Sequence, residues 1–467
     1  MKAKQSRWTV YAVLAFLQWA VFDLYVYLNV RAVGEGGRAA WMMVICIFLA
    51  VFWTFASRGR LLRSFINLPF LLFLVFLGYF SYRCIRDDVP FNVLKAYLLG
   101  TDSGMILYGL LGATFALTLS KVIYVKKNER RDSRYAFMVL SIAALSLVHT
   151  GFLAFEFYER RIEGYFLISG INGLYQRAGD LLTIRGFGIY ALTGSATLIS
   201  IRDATIRESV ELRLACGLVA ANVFLSAVLA QAIGANKATL LLLILFFVAA
   251  YSFLWMHFVR QKMIDITNSK KSIPLLFRNT STAAGKSFLQ LTGLFVAGVL
   301  LLASHLGLTP SMFRMLGFGS WAITSFSSRF DLLRQNFIPQ FSYSPFWGNA
   351  SVDRLTTGEG TYVHSVFLYP LTHTGAVGFL MFVFAIYLGI RAISPRLLWV
   401  RDDHPAREAG VHLLLKNLAI VYVCVLIVGA ISSSIHWAVF WYFVGFSLSA
   451  ISLRDIGDAN VRVGDCK

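Results

Sequence analysis

The chain has 467 residues, of which 57% are hydrophobic and only 14% charged, against roughly a quarter charged in a soluble domain. That balance excludes a soluble globular protein, and apolar runs close to the bilayer-spanning length of about 20 residues recur along the whole chain. The formal net charge of +19 would suit a nucleic-acid partner, but its distribution makes it a topology signal and leaves no nucleic acid in the account.

The first apolar run, Trp8 to Leu28, is too long for the core of a signal peptide, and no small-residue cleavage site follows, so it reads as an uncleaved helix. Hydropathy gives about twelve spans, at roughly 8–30, 40–56, 64–82, 103–122, 135–154, 186–201, 212–233, 238–257, 287–307, 363–390, 415–432 and 436–453. With the N-terminus inside, most of the 43 Lys and Arg fall on the inner side, in clusters such as Lys126, Lys127, Arg130 and Arg131. The positive-inside tendency therefore predicts cytoplasmic termini. The fold class is an all-α integral membrane protein, a single polytopic domain over 1–467 without internal repeats. The basic inner loops 258–286 and 391–414 suit anionic lipid headgroups. Five scattered cysteines show neither a disulfide framework nor metal spacing.

Two outer segments, 155–185 and 307–363, are too long to be plain connectors, and long loops of this kind are commonly functional. In the second, Phe326, Phe330, Leu333 and Phe337 are spaced four, three and four apart. That spacing predicts an amphipathic helix lying on the outer membrane surface. The same spacing also suits a helix packed on its own protein with solvated charges. Pro345, Gly348 and the run Gly358 to Gly360 signal turns.

The stretch Thr361 to Leu380, TYVHSVFLYPLTHTGAVGFL, carries the polar outer segment into a spanning helix over 364–390, with His364 at the threshold. On a continuous helix Gly375 lies about 20° and Gly378 about 40° from His364, so both glycines share its stripe. Small residues there would let a neighbouring helix approach closely. An ionisable group at such a seam is a functional-site candidate; a histidine that caps the helix and meets water is the other reading. His373 is about 180° round and should not share a cavity with His364. His149, His305 and His436 sit near outer helix ends and read as structural.

No phosphate-binding loop, dinucleotide-binding glycine pattern or HExxH is present, so no nucleotide, metal or other cofactor is expected. The outer side offers arginines instead, among them Arg177, Arg185 and Arg329, whose planar forks suit phosphate and pyrophosphate oxygens. Pairing with nearby Asp and Glu accounts equally well for any one of them. A histidine acting as base beside arginines that stabilise a diphosphate leaving group makes a coherent site.

The segment HSVFLYPLTHTGAVG fits the pattern His-[Asn/Ser/Gln]-x9-Gly-x-x-[Gly/Thr/Val] through His364, Ser365, Gly375 and Gly378. It resembles the signature of the bacterial O-antigen polymerase and O-antigen ligase superfamily. The approach SSRFDLLRQNFIPQFSYSPFWGN, with Arg329, Pro345 and Gly348, is similar to that family too, as is YQRAGDLL around Arg177. The likeness covers roughly residues 170–390. It implies an inner-membrane glycosyltransferase with a periplasmic active site, using an undecaprenyl-diphosphate-linked glycan as donor and acceptor, without cofactor or metal. It further implies His364 as base or acceptor-positioning residue and Arg177, Arg329 and Arg185 as diphosphate contacts. Membrane lipid, a flippase and a chain-length regulator are the partners it suggests. The His-Ser form and the texture of the loop favour a polymerase of repeat units over a ligase acting on lipid A-core. A twelve-span secondary transporter is the alternative from another class; it predicts repeats, broken helices and mid-span charges.

Overall fold

The computed structural model describes residues 2–31, 36–56, 67–100, 104–123, 141–142, 144–155, 331, 333–358, 363, 365–393 and 438–449, with scattered positions in 218–226, 290–304 and 422–430. Among them the chain is helical and contains no strand. The helices are α1 (Lys2–Arg31), α2 (Gly36–Ala56), α3 (Leu68–Arg86), α4 (Phe91–Leu99) and α5 (Met105–Ile123). They are followed by α6 (Ala144–Phe155), α7 (Ile338–Tyr343), α8 (Val352–Thr356), α9 (Leu368–Ile393) and α10 (Ala438–Ser449). Leu68–Arg86 and Leu368–Arg391 are long and apolar enough to cross a membrane. Five of the expected spans, 186–201, 212–233, 238–257, 287–307 and 415–432, lie wholly or largely outside the described residues, as does most of the first long loop. Helix α4 was not expected at all: at nine residues it is too short to register as a span.

Local chemistry sets the ends of α3. The Asn67 side chain accepts from the Phe70 amide at 2.8 Å and closes the N-terminus, with proline in the first turn. The same side chain donates to Leu448 O at 2.8 Å, which ties the start of α3 to the end of α10. Arg83 and Arg86 occupy the last turn, where positive charge complements the helix dipole.

Helix α10 is the centre of the packing: every residue from Phe440 to Ser449 is buried or flanked by buried neighbours, as expected of a helix that is apolar all round. It lies against α5 with backbones nearly touching. A Cβ on Gly112 would run into Tyr442 O, and one on Gly445 into Gly109 O. Small residues permit such an approach between helices. Aromatic rings fill the space alongside. Phe22 stacks on Tyr442 at 4.0 Å, with Trp19, Phe115 and Phe446 around them. On the other side Phe76, Phe382, Phe73 and Trp441 join α3, α9 and α10. Gly445→Ala is expected to cost about 2 kcal/mol through overpacking of this crossing, measured by equilibrium unfolding in mixed micelles.

A polar seam runs between α1, α5 and α6. Gln18 donates to Thr114 Oγ1 and accepts from Thr118 Oγ1, each at 2.8 Å, and Trp19 Nε1 reaches Ser146 Oγ at 3.2 Å. Asp23, fully buried, lies 2.5 Å from His149 Nδ1. His149, expected to be structural near a helix end, is thus a partner of Asp23. His149→Ala removes a hydrogen-bonding partner of the buried Asp23 and is expected to cost about 2 kcal/mol; His149→Gln, which can still hydrogen-bond, should cost less in the same unfolding measurement.

Candidate functional site

The motif segment does not form one continuous helix. Helix α9 begins at Leu368, and its backbone leaves helical geometry at Gly375, where φ is 65° and ψ −172°. Projecting His364, Gly375 and Gly378 onto one stripe at 100° per residue therefore fails. The ladder is interrupted between them, and position 364 precedes the helix. Composition offers no warning of this, because glycine populates positive φ without steric penalty.

What fills the break is the loop 345–349. Ala376 N donates to Pro345 O at 2.9 Å and Val377 N to Phe346 O at 3.3 Å, while Asn349 N reaches Thr372 O at 3.4 Å. Backbone groups released from the helix are thereby satisfied, as buried amides require. Gly348, at φ 70°, and Gly375 lie backbone against backbone, so that a Cβ on either would strike the main chain of the other. Gly375 thus serves a loop rather than a neighbouring helix. Gly378 does face a helix: a Cβ there would come within 3.0 Å of the Tyr79 ring of α3, and closer still to the Thr374 side chain.

The turn before α9 is held from both sides. Ser365 is buried, and its Oγ accepts from the amides of Phe367 and Leu368, both at 3.3 Å, capping the helix. Val363 and Val366 are buried, and Val366 N donates to Gly429 O at 2.7 Å. His364 itself lies outside the described residues, and so do Arg177, Arg185 and Arg329. The structure therefore brings Gly375 together with Pro345 and Gly348, while Ser365 caps the start of α9 and Gly378 faces α3; the charged members of the expected site lie outside the described residues. Just beyond the turn, His373 is buried in the helix. Its ring stacks on Tyr369 at 3.8 Å, and its Nδ1 lies 3.1 Å from Tyr369 O and 2.9 Å from Thr372 Oγ1. The Tyr369 side chain in turn hydrogen-bonds Tyr97 of α4.

Two residues absent from the sequence reading dominate the neighbouring electrostatics. Arg83, 4% exposed, donates through Nη2 to both Asp87 carboxylate oxygens at 3.0 and 2.9 Å and to Gly348 O at 2.5 Å. Asp87 Oδ2 accepts from Ala350 N at 2.7 Å, and Asp87 O accepts from Ser351 Oγ at 3.0 Å. Tyr79 adds a bond to Trp347 O at 3.1 Å. A pair spaced i,i+4 on a helix is legible in sequence, but its reach across to another segment is not.

The outer segment departs from the expected amphipathic face as well. Of the four apolar positions, Phe326 and Phe330 lie outside the described residues. Leu333–Phe337 is a turn of π-helix, in which the 3.6-residue period no longer applies. Leu333 is exposed, while Asn336 and Gln340 are the buried residues, Gln340 donating to Thr357 Oγ1 at 2.9 Å. Apolar exposure falls instead on Ile338, Tyr343, Phe346 and Trp347. Among the described residues no group of three His, Cys, Asp or Glu converges to hold a metal ion. No known family model matches the chain, and no curated protein matches it significantly.

Proposed function

We propose that this chain is a membrane glycosyltransferase that polymerises undecaprenyl-diphosphate-linked repeat units on the periplasmic face of a bacterial inner membrane. The observation that carries this reading is the meeting of Pro345-x-x-Gly348 with Gly375. Both segments belong to the resemblance to the O-antigen polymerase and ligase superfamily, and they come together within α9, the helix that Ser365 caps. In this reaction a hydroxyl of the acceptor sugar attacks the anomeric carbon of the donor glycan. The glycosidic bond forms as the bond to undecaprenyl diphosphate breaks, and the hydroxyl proton passes to His364. Arg177, Arg329 and Arg185 stabilise the charge on the departing diphosphate.

One observation favours a different class. The interruption of α9 is the kind of broken helix that secondary transporters use to build ion and substrate sites. In such sites the freed backbone groups face the ligand, whereas here the amides of Ala376 and Val377 are occupied by carbonyls of the inserted loop. That difference favours the enzyme.

The test is the glycan profile of a deletion strain restored with wild type or with His364→Ala. Single repeat units accumulating on lipid, with core bearing at most one unit, identify a polymerase. Long polymer retained on the carrier with bare core identifies a ligase. An unchanged profile in the deletion strain overturns the glycosyltransferase and returns the transporter.

A further inference from the structure

We infer that Arg83 and Asp87 are positioning residues, a latch that holds loop 345–350 in the break of α9 and through it places the Leu368–Thr374 segment that precedes the break. The argument begins with the break. Because Gly375 interrupts the ladder, the short segment from Leu368 to Thr374 is not carried rigidly by the long remainder of α9. Its placement relative to that remainder rests on the loop, which bonds Thr372 O on one side and the amides of Ala376 and Val377 on the other. The loop has no regular structure of its own between Ser344 and Ser351. Bonds from α3 anchor it instead. Tyr79, Arg83 and Asp87 contact Trp347 O, Gly348 O, Ala350 N and Ser351 Oγ, four successive positions apart from Asn349.

An ion pair that only stabilised α3 would confine its bonds to that helix. Here Asp87 and Arg83 each spend part of their hydrogen-bonding capacity on the other segment, and both side chains are less than a tenth exposed. Charge-assisted bonds of this kind are the strong ones, and one guanidinium nitrogen joins the Asp87 carboxylate to Gly348 O of the loop. The catalytic half of this inference rests on the glycosyltransferase reading; the latch itself does not.

Two readouts on the full-length protein in detergent test it. Peptide-level hydrogen exchange should show faster exchange at Ala350 and at Ala376–Val377 in Asp87→Ala, with α5 and α10 unaffected. Turnover of lipid-linked donor should fall on the order of 10²-fold in kcat, the scale of an ångström of misplacement, with KM within about twofold. Asp87→Glu should recover most of the rate. Should Asp87→Ala fail to accumulate, Tyr79→Phe and Ser351→Ala remove single loop-directed bonds and should shift exchange in the same peptides by smaller amounts. Unchanged exchange at 376–377 overturns the latch; a rise in KM with kcat intact, or faster exchange with full turnover, overturns the positioning role. If wild type transfers no glycan the enzyme reading fails, and the exchange arm alone still decides for or against the latch.

Discussion

Gly375→Ala is expected to destabilise the protein by about 4 kcal/mol. Two costs combine. The backbone at φ 65° and ψ −172° lies in a region open essentially to glycine alone, where another residue carries about 1–3 kcal/mol of strain. The new Cβ would also collide with Gly348 N and Phe346 O, and main chain cannot swing aside as a flexible side chain does, which adds a penalty of about 1–3 kcal/mol. Relief by reforming a regular helix through 375 would expel the loop and forfeit its bonds to Ala376 and Val377. Equilibrium unfolding in mixed micelles measures the loss. Gly378→Ala provides the comparison: its backbone φ is not positive and its closest contacts are side chains, those of Thr374 and Tyr79, so its effect should be smaller. Equal costs at the two positions would show that the break at Gly375 is not held as described.

The second large effect concerns chemistry. On the proposed mechanism His364→Ala should lower turnover of lipid-linked donor by 10²–10⁴-fold, the usual contribution of a positioned general base, while leaving thermal stability near wild type. The framework of the turn makes the separation of the two readouts possible. Val363 and Val366 are buried and Ser365 caps α9, so the turn keeps these anchors when the imidazole is removed. Ser365→Ala should do the reverse. It removes the cap, costing about 1 kcal/mol, and reduces turnover only as far as the turn loosens. A His364→Ala variant that accumulates normally and polymerises at full rate would remove His364 from the mechanism.

The parts of the fold legible in sequence were those written in hydropathy. The spans expected at 64–82, 103–122 and 363–390 correspond to helices at Leu68–Arg86, Met105–Ile123 and Leu368–Ile393, with ends displaced by a few residues. What hydropathy cannot encode is backbone sign. Gly375 looked like a packing residue because small size serves both close approach and positive φ, and only the partner segment distinguishes them. The π-turn at Leu333–Phe337 was concealed for a related reason, since apolar spacing of three and four assumes the period it is used to detect. The i,i+4 spacing of Arg83 and Asp87 at the end of α3 can be read from the chain, but their loop partners lie more than 260 positions away in sequence. Gly375, Pro345 and Gly348 were all named from the chain alone; that they meet at one break in one helix was not.

The crossing of α5 and α10 has a consequence for how the chain is made. Gly109 and Gly112 emerge early in translation, and the helix that lies against them, Ala438–Ser449, emerges hundreds of residues later. Throughout that interval the glycine face of α5 has yet to receive its final neighbour. Assembly is therefore a closing step rather than a sequential one, and the amino-terminal helices must be kept apart from wrong partners until the late helix arrives. A chain ending before Ala438 would lack the helix that lies against Gly109 and Gly112, and with it the closing contact of the bundle.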